Sequence, residues 1–132
     1  MAEFSDYYEN KIIDHMLRAV AFTPPATIYV ALFTAVTGLE ANDSTSWVEV
    51  SGGAYARQSF TLTAASAGAS ENSAEIIFPT ATANWGTVSH VAIMDAATAG
   101  NVLMWSPLNA SKTVNNGDTF KINAGDLDVT VD

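Results

Sequence analysis

Thr27-Ile28-Tyr29-Val30-Ala31-Leu32-Phe33-Thr34 is apolar on both of its alternating faces. Its β-branched and aromatic side chains suit a pleated surface, so the stretch predicts a strand. A strand without a polar face has to be covered on both sides. It is therefore expected at the centre of a sheet, with an N-terminal helix as one of its covers.

Working outward from it, the downstream chain also reads as β. Residues 47–50 form a short strand broken by Ser51-Gly52-Gly53. Residues 57–63 place Phe60 and Leu62 on one face, and 75–78 form a strand ended by Pro79. Residues 88–95 put Val91 and Ile93 on one face; a turn with Gly100 leads into 102–105, which is expected to pair with them as a hairpin. Asn115-Asn116-Gly117-Asp118 is a tight-turn signal, because Asn and Gly tolerate positive φ. After it Phe120 and Ile122 point inward. Leu127, Val129 and Val131 then share one face, opposite Asp126, Asp128, Thr130 and Asp132. Residues 37–46 and 64–73 are polar or small and read as loops. About eight short strands at this spacing predict an antiparallel β-sandwich, jelly-roll or Ig-like.

Upstream, residues 5–21 predict one helix. Ser5 is the N-cap, Asp6 and Glu9 suit the positive end of the helix dipole, and Arg18 suits the other. Tyr8, Ile12, Ile13, Met16, Leu17 and Val20 recur at helical spacing as one apolar stripe. Thr23-Pro24-Pro25 is the expected stop. The fold class is thus mainly β with one N-terminal α-helix. The domain is single, 1–132, with the helix at 1–21 and the sandwich at 26–132. The stripe either packs on its own domain or docks on a neighbour, with Tyr8, Ile12 and Met16 as interface candidates.

Composition excludes several functions. The 132 residues are 48% hydrophobic but only 14% charged. A low-charge surface is easily desolvated and suits contact between subunits. Fourteen acidic against five basic residues give a net charge of −9. That argues against binding nucleic-acid phosphates. The absence of cysteine removes disulfides, thiolate metal sites and a thiol nucleophile. The N-terminus lacks a signal-peptide pattern, and the apolar run at 28–33 is far too short for a membrane span. Asn42-Asp43-Ser44 and Asn109-Ala110-Ser111 match the glycosylation pattern by chance.

Chemistry-bearing groupings are sparse. Ser89, His90 and Asp95 lie too close on one strand for a hydrolase triad, which is defined by geometry, and no nucleophile elbow occurs. Asp126 and Asp128 share a face but lack a calcium-loop spacing, so no metal and no cofactor are expected. Trp47, Trp85, Trp105 and Tyr55 could stack on sugars or form a contact patch. Trp85, within Asn84-Trp85-Gly86, reads either as an exposed contact or as a buried aromatic plug. Gly52-Gly53 predicts a bend that brings Tyr55 and Arg57 together. Arg57 is a candidate inter-subunit contact; the alternative is a hairpin corner with Tyr55 in the core.

A series of blocks in order also resembles a known family. They are Phe22-Thr23-Pro24-Pro25-Ala26-Thr27 with Tyr29-Val30-Ala31-Leu32-Phe33-Thr34, then Glu49-Val50-Ser51-Gly52-Gly53-Ala54-Tyr55-Ala56-Arg57. Phe78-Pro79-Thr80-Ala81-Thr82-Ala83-Asn84-Trp85-Gly86-Thr87-Val88 and Ala92-Ile93-Met94-Asp95-Ala96 follow, then Lys112-Thr113-Val114-Asn115-Asn116-Gly117-Asp118 and Ala124-Gly125-Asp126-Leu127-Asp128-Val129. Together they resemble small phage and prophage proteins labelled tail fibre or virion structural proteins. The resemblance implies a non-enzymatic virion part of a tailed bacteriophage, tail- or fibre-associated. It would be made in the host cytoplasm and assembled with other virion proteins as a homo-oligomer, without nucleic acid or membrane. A capsid decoration or cement protein and a carbohydrate-binding host-attachment module are the alternatives.

Overall fold

The computed structural model describes residues 2–131. The apolar stretch of 28–33 forms strand β2, Ile28–Phe33. It lies between β3, Gln58–Phe60, and β6, Gly86–Met94. β6 pairs in turn with the long β7, Val102–Val114, and β7 with the short β1, Glu3–Phe4. This antiparallel five-stranded sheet has the order β1-β7-β6-β2-β3.

Alternation along β2 explains why the sheet needs two covers. Val30 and Leu32 face one core together with Val91 and Ile93. Ala31 and Phe33 face the other with Ala92 and Met94. The first face is covered by a second layer of two ribbons. One pairs β4, Ala69–Glu71, with β9, Asp128–Thr130; the other pairs β5, Ile76–Ile77, with β8, Lys121–Ile122. Phe78, Phe120 and Leu127 fill the space between the layers. Burying each such side chain contributes on the order of 2 kcal/mol.

The second face is covered by the loop after β2 and not by the helix. Leu39 is fully buried there and Trp47 packs edge-on against Phe33 at 5.9 Å. Local hydrogen bonds shape that loop. The Asp43 carboxylate accepts from the Ser46 hydroxyl at 2.5 Å and from the Thr45 amide and hydroxyl. These bonds hold its pKa below the usual carboxylate value.

Helix α1 spans Asp6–Arg18. Ser5 caps it, accepting from the Tyr8 amide at 3.3 Å while its own hydroxyl bonds the Val102 carbonyl. The helix ends before the expected proline stop. Ala19 adopts the left-handed conformation at φ 57°, and the Val20 amide bonds back to the Asp14 carbonyl. This cap closes the last turn without a proline. Among the described residues no helix is long and apolar enough to cross a membrane.

Two further boundaries differ from expectation. β7 runs on to Val114, well past the expected 102–105. A register shift lies between Val88↔Lys112 and His90↔Pro107, so residues 108–111 of β7 stand opposite Ser89 alone. The Asn115–Asp118 turn, with Gly117 at φ 93°, leads across to the second layer; β8 pairs with β5 and not with β7. Residues 69–71 of an expected loop form β4. Asn72, fully buried, ties that ribbon down: it donates to the Ala74 and Asn123 carbonyls and accepts from the Leu127 amide.

Candidate functional site

Two regions hold the residues singled out in the sequence. The first is α1. One face of the helix lies on β1 and β7. Tyr8 packs against Phe4 at 5.9 Å and against Phe22 at 6.1 Å, and burial pushes its hydroxyl pKa up. Ile12 is half-buried on the same side. Lys11 sits over the rings of Tyr7 and Phe22. Asp14 and Arg18 form an exposed pair at 2.7 Å, which adds only a few tenths of a kcal/mol.

The face beside it is apolar and exposed. Met16 is 70% exposed, Leu17 81%, Ile13 50% and Val20 44%. At helical spacing Ile13, Met16 and Leu17 form one exposed stripe, and Val20 lies just past the helix end. The single stripe of the sequence is therefore two surfaces, one docked through Tyr8 with Ile12 half-buried, and one exposed around Met16.

The second region is the bend around Gly53. Gly52 and Gly53 both have positive φ, 74° and 58°. A Cβ at Gly53 would lie 2.9 Å from Trp85 Nε1, which donates to the Gly53 carbonyl at 2.8 Å. The bend aims Tyr55 and Arg57 at one carboxylate. Tyr55 donates to Glu49 Oε2 at 2.9 Å and accepts from the Leu32 amide at 3.0 Å. Arg57 binds Glu49 through Nε at 2.7 Å and through its second terminal nitrogen at 2.8 Å. Its remaining nitrogen donates to the Ala96 and Ala99 carbonyls at 2.9 and 2.7 Å. The Arg57 side chain is only 4% exposed. Burial, then the charge of Glu49, pushes the Tyr55 hydroxyl far above its ordinary pKa. Burial opposes the charge on Arg57, but the Glu49 hydrogen bonds and charge outweigh it, and its pKa rises.

Trp85 is 6% exposed and forms an aromatic plug. Its ring meets Tyr55 edge-on at 5.5 Å, and Phe78 stacks on Tyr55 at 6.1 Å. Burial thus favours the plug over an exposed contact. Trp47 and Trp105 are half-buried, and Trp105 Nε1 donates to Glu40 at 2.7 Å. These rings make no open stacking platform with Trp85.

The chemistry-bearing groupings stay apart. Ser89 Oγ lies 2.8 Å from His90 Nδ1, but the Asp95 carboxylate is held by the Asn101 amide and side chain at 2.7 and 2.9 Å. Burial lowers the His90 pKa. The acids that converge are ones the sequence reading missed. Carboxylate oxygens of Asp6, Glu9 and Glu40 lie within 4.8 Å of one another, all exposed. Asp6 and Glu9 share the first helical turn, whereas Glu40 joins them only through the Asp6 amide bond to its carbonyl. No local sequence signal links the three.

A groove of about 460 Å³ opens between the outer part of β7 and the β8–β9 segment. Buried Val91, Phe120, Ile122 and Leu127 line it, with Lys112, Lys121, Asp126 and Asp128 as its charged members.

No curated protein matches the chain significantly. A family model described as "Podophage GP4 fiber I protein gp80" matches residues 3–130.

Proposed function

Since the chain belongs to the podophage GP4 fiber I protein gp80 family, and so to the fibre proteins of the phage virion, we propose that it is an assembly subunit whose helix α1 docks on a neighbouring virion protein. The fibre family supports a role through contact with other virion proteins. The observation that supports the docking role is the bare stripe of Ile13, Met16, Leu17 and Val20. A helix with a second apolar stripe beside its docked side carries surface that a partner can cover. The chain itself covers only the docked side. Exposed contiguous apolar surface of this kind marks interaction sites in soluble proteins.

Tyr55, Arg57 and Trp85 act in this reading as the rigid support behind the surface. Their polar atoms are already bonded within the chain, so they offer little to a partner. The low charge of the remaining surface lowers the cost of desolvation on assembly.

The test is incorporation. Phage carrying Met16→Ser with Leu17→Ser should yield particles depleted of this subunit, while the purified variant melts at the wild-type temperature. Full incorporation of the double variant would remove the docking role. Copy number in wild-type particles, by quantitative mass spectrometry, separates a tail location from a head shell: a small multiple of the fibre symmetry supports the tail, and hundreds of copies would overturn it.

A further inference from the structure

The exposed face of α1 changes character along its length. At about 3.6 residues per turn, Asp6, Glu9 and Asn10 lie on the same side of the helix as Ile13, Met16 and Leu17. All six are exposed, whereas Tyr7, Tyr8, Lys11 and Ile12, from the other sides of the same turns, are half-buried. The first half of the face is therefore acidic and the second half apolar.

A third acid joins the acidic end from another element. Glu40 lies in the loop after β2, and its carboxylate oxygens meet those of Asp6 and Glu9 within 4.8 Å. Its carbonyl accepts from the Asp6 amide, and its carboxylate accepts from Trp105 Nε1 at 2.7 Å, so the residue is fixed at both ends. The positive end of the helix dipole accounts for Asp6 and Glu9, which belong to the first turn. Glu40 adds a like charge beside them. Among the described residues the ion pairs are Asp14–Arg18 and Glu49–Arg57, so no cation of the chain is paired with these three acids. Lys11, on the same helix, is turned to the rings of Tyr7 and Phe22.

We propose that this face seats a different virion protein, one that presents an apolar groove with Lys or Arg at one end. The proposal deepens the docking role of α1 and rests on it. The apolar half supplies affinity through surface removed from water. The acidic half fixes which way the partner lies along the helix and speeds encounter, as charges at the rim of a contact do. A second copy of this chain does not fit the acidic half. It carries fourteen acids against five cations. Of those cations Arg57 is buried against Glu49, Arg18 is paired and Lys11 lies over aromatic rings. An anionic membrane surface attracts basic segments and repels these carboxylates.

The test uses phage particles assembled without this subunit, mixed with the purified chain at rising sodium chloride. Attachment of the wild type should weaken roughly tenfold between about 50 and 500 mM salt, because exposed charge pairs are screened. Glu9→Gln with Glu40→Gln should attach roughly tenfold less tightly at the low end and lose most of that salt dependence. Its melting temperature checks the fold; should it fold poorly, the salt dependence of the wild type still decides. Salt-independent attachment of the wild type, or a folded Gln variant that attaches like the wild type at every salt concentration, would overturn the cationic partner. The docking role stands in that case if Met16→Ser with Leu17→Ser still abolishes attachment. Attachment that survives this apolar double variant sinks the docking role and the proposal with it. Binding to vesicles of anionic lipid through the same residues, or self-association in sedimentation that depends on Glu9 and Glu40, would also overturn the proposal.

Discussion

At the bend around Gly53, three strong hydrogen-bonding side chains satisfy one another: Glu49, Tyr55 and Arg57 close on themselves and on the Leu32, Ala96 and Ala99 backbone. On the outer face of α1 and just past its end, Ile13, Met16, Leu17 and Val20 are 44–81% exposed. Each region carries residue types common at interfaces: aromatics and Arg at the bend, Met on the stripe. What separates them is whether their needs are met internally. A buried ion pair is costly to break because it leaves a charge unpaired in a poorly solvated place. A bare apolar stripe costs little to alter in the isolated chain, yet it is what a partner can grip. The bend should therefore respond through stability and the stripe through assembly.

The sharpest way to break that contrast is Trp85→Ala, which opens a cavity beneath Tyr55 and Phe78. A loss of about 3–5 kcal/mol is expected by denaturant unfolding, and a near-neutral result would mean the plug does not hold the bend. Next is Glu49→Gln, which leaves Arg57 buried with a neutral partner. About 3 kcal/mol of stability should go. If stability holds but particle incorporation fails, Arg57 serves a neighbour and the contrast collapses.

Gly53→Ala tests the close approach alone. The left-handed φ and the crowded Trp85 ring predict a loss of about 1–3 kcal/mol, read as a lower melting temperature. The Tyr55 hydroxyl adds a pH signature. Its folded-state pKa lies above the unfolded value of about 10, so the folded chain keeps a proton that the unfolded chain loses. The resulting stability is present below about pH 10 and is lost as pH rises above it. Tyr55→Phe should flatten that alkaline decline in a melting-temperature series; an unchanged slope would refute the assignment. The smallest effect belongs to the stripe. Met16→Ser with Leu17→Ser should change unfolding free energy by no more than about 0.5 kcal/mol, and a larger loss would show that the stripe is part of the fold.

Much of this was legible from residue order. Two-sided apolarity in 28–33 gave a covered central strand, and Ser5 gave the cap, because each depends on neighbours a few residues away. The Asn115–Asp118 turn was readable as a turn for the same reason. Its destination was not, since nothing local tells whether a strand pairs backward or crosses to another layer. The early helix end escaped because Ala19, an ordinary helix former, takes the left-handed conformation. Trp85 could be read as contact or plug alike, because an indole suits both until its neighbours are known.

By itself, the sequence determined a mainly β chain with one N-terminal helix, a low surface charge and no thiol chemistry. These follow from composition and from periodicities of two and of 3.6 residues, which are short-range properties. Only the tertiary structure decided that Leu39 and Trp47, and not α1, cover the second face of the sheet. It also decided that Arg57 is consumed by Glu49 while Met16 and Leu17 stay bare. Those outcomes depend on which distant side chain reaches a group first, and burial and hydrogen-bond satisfaction exist only once the chain has closed on itself.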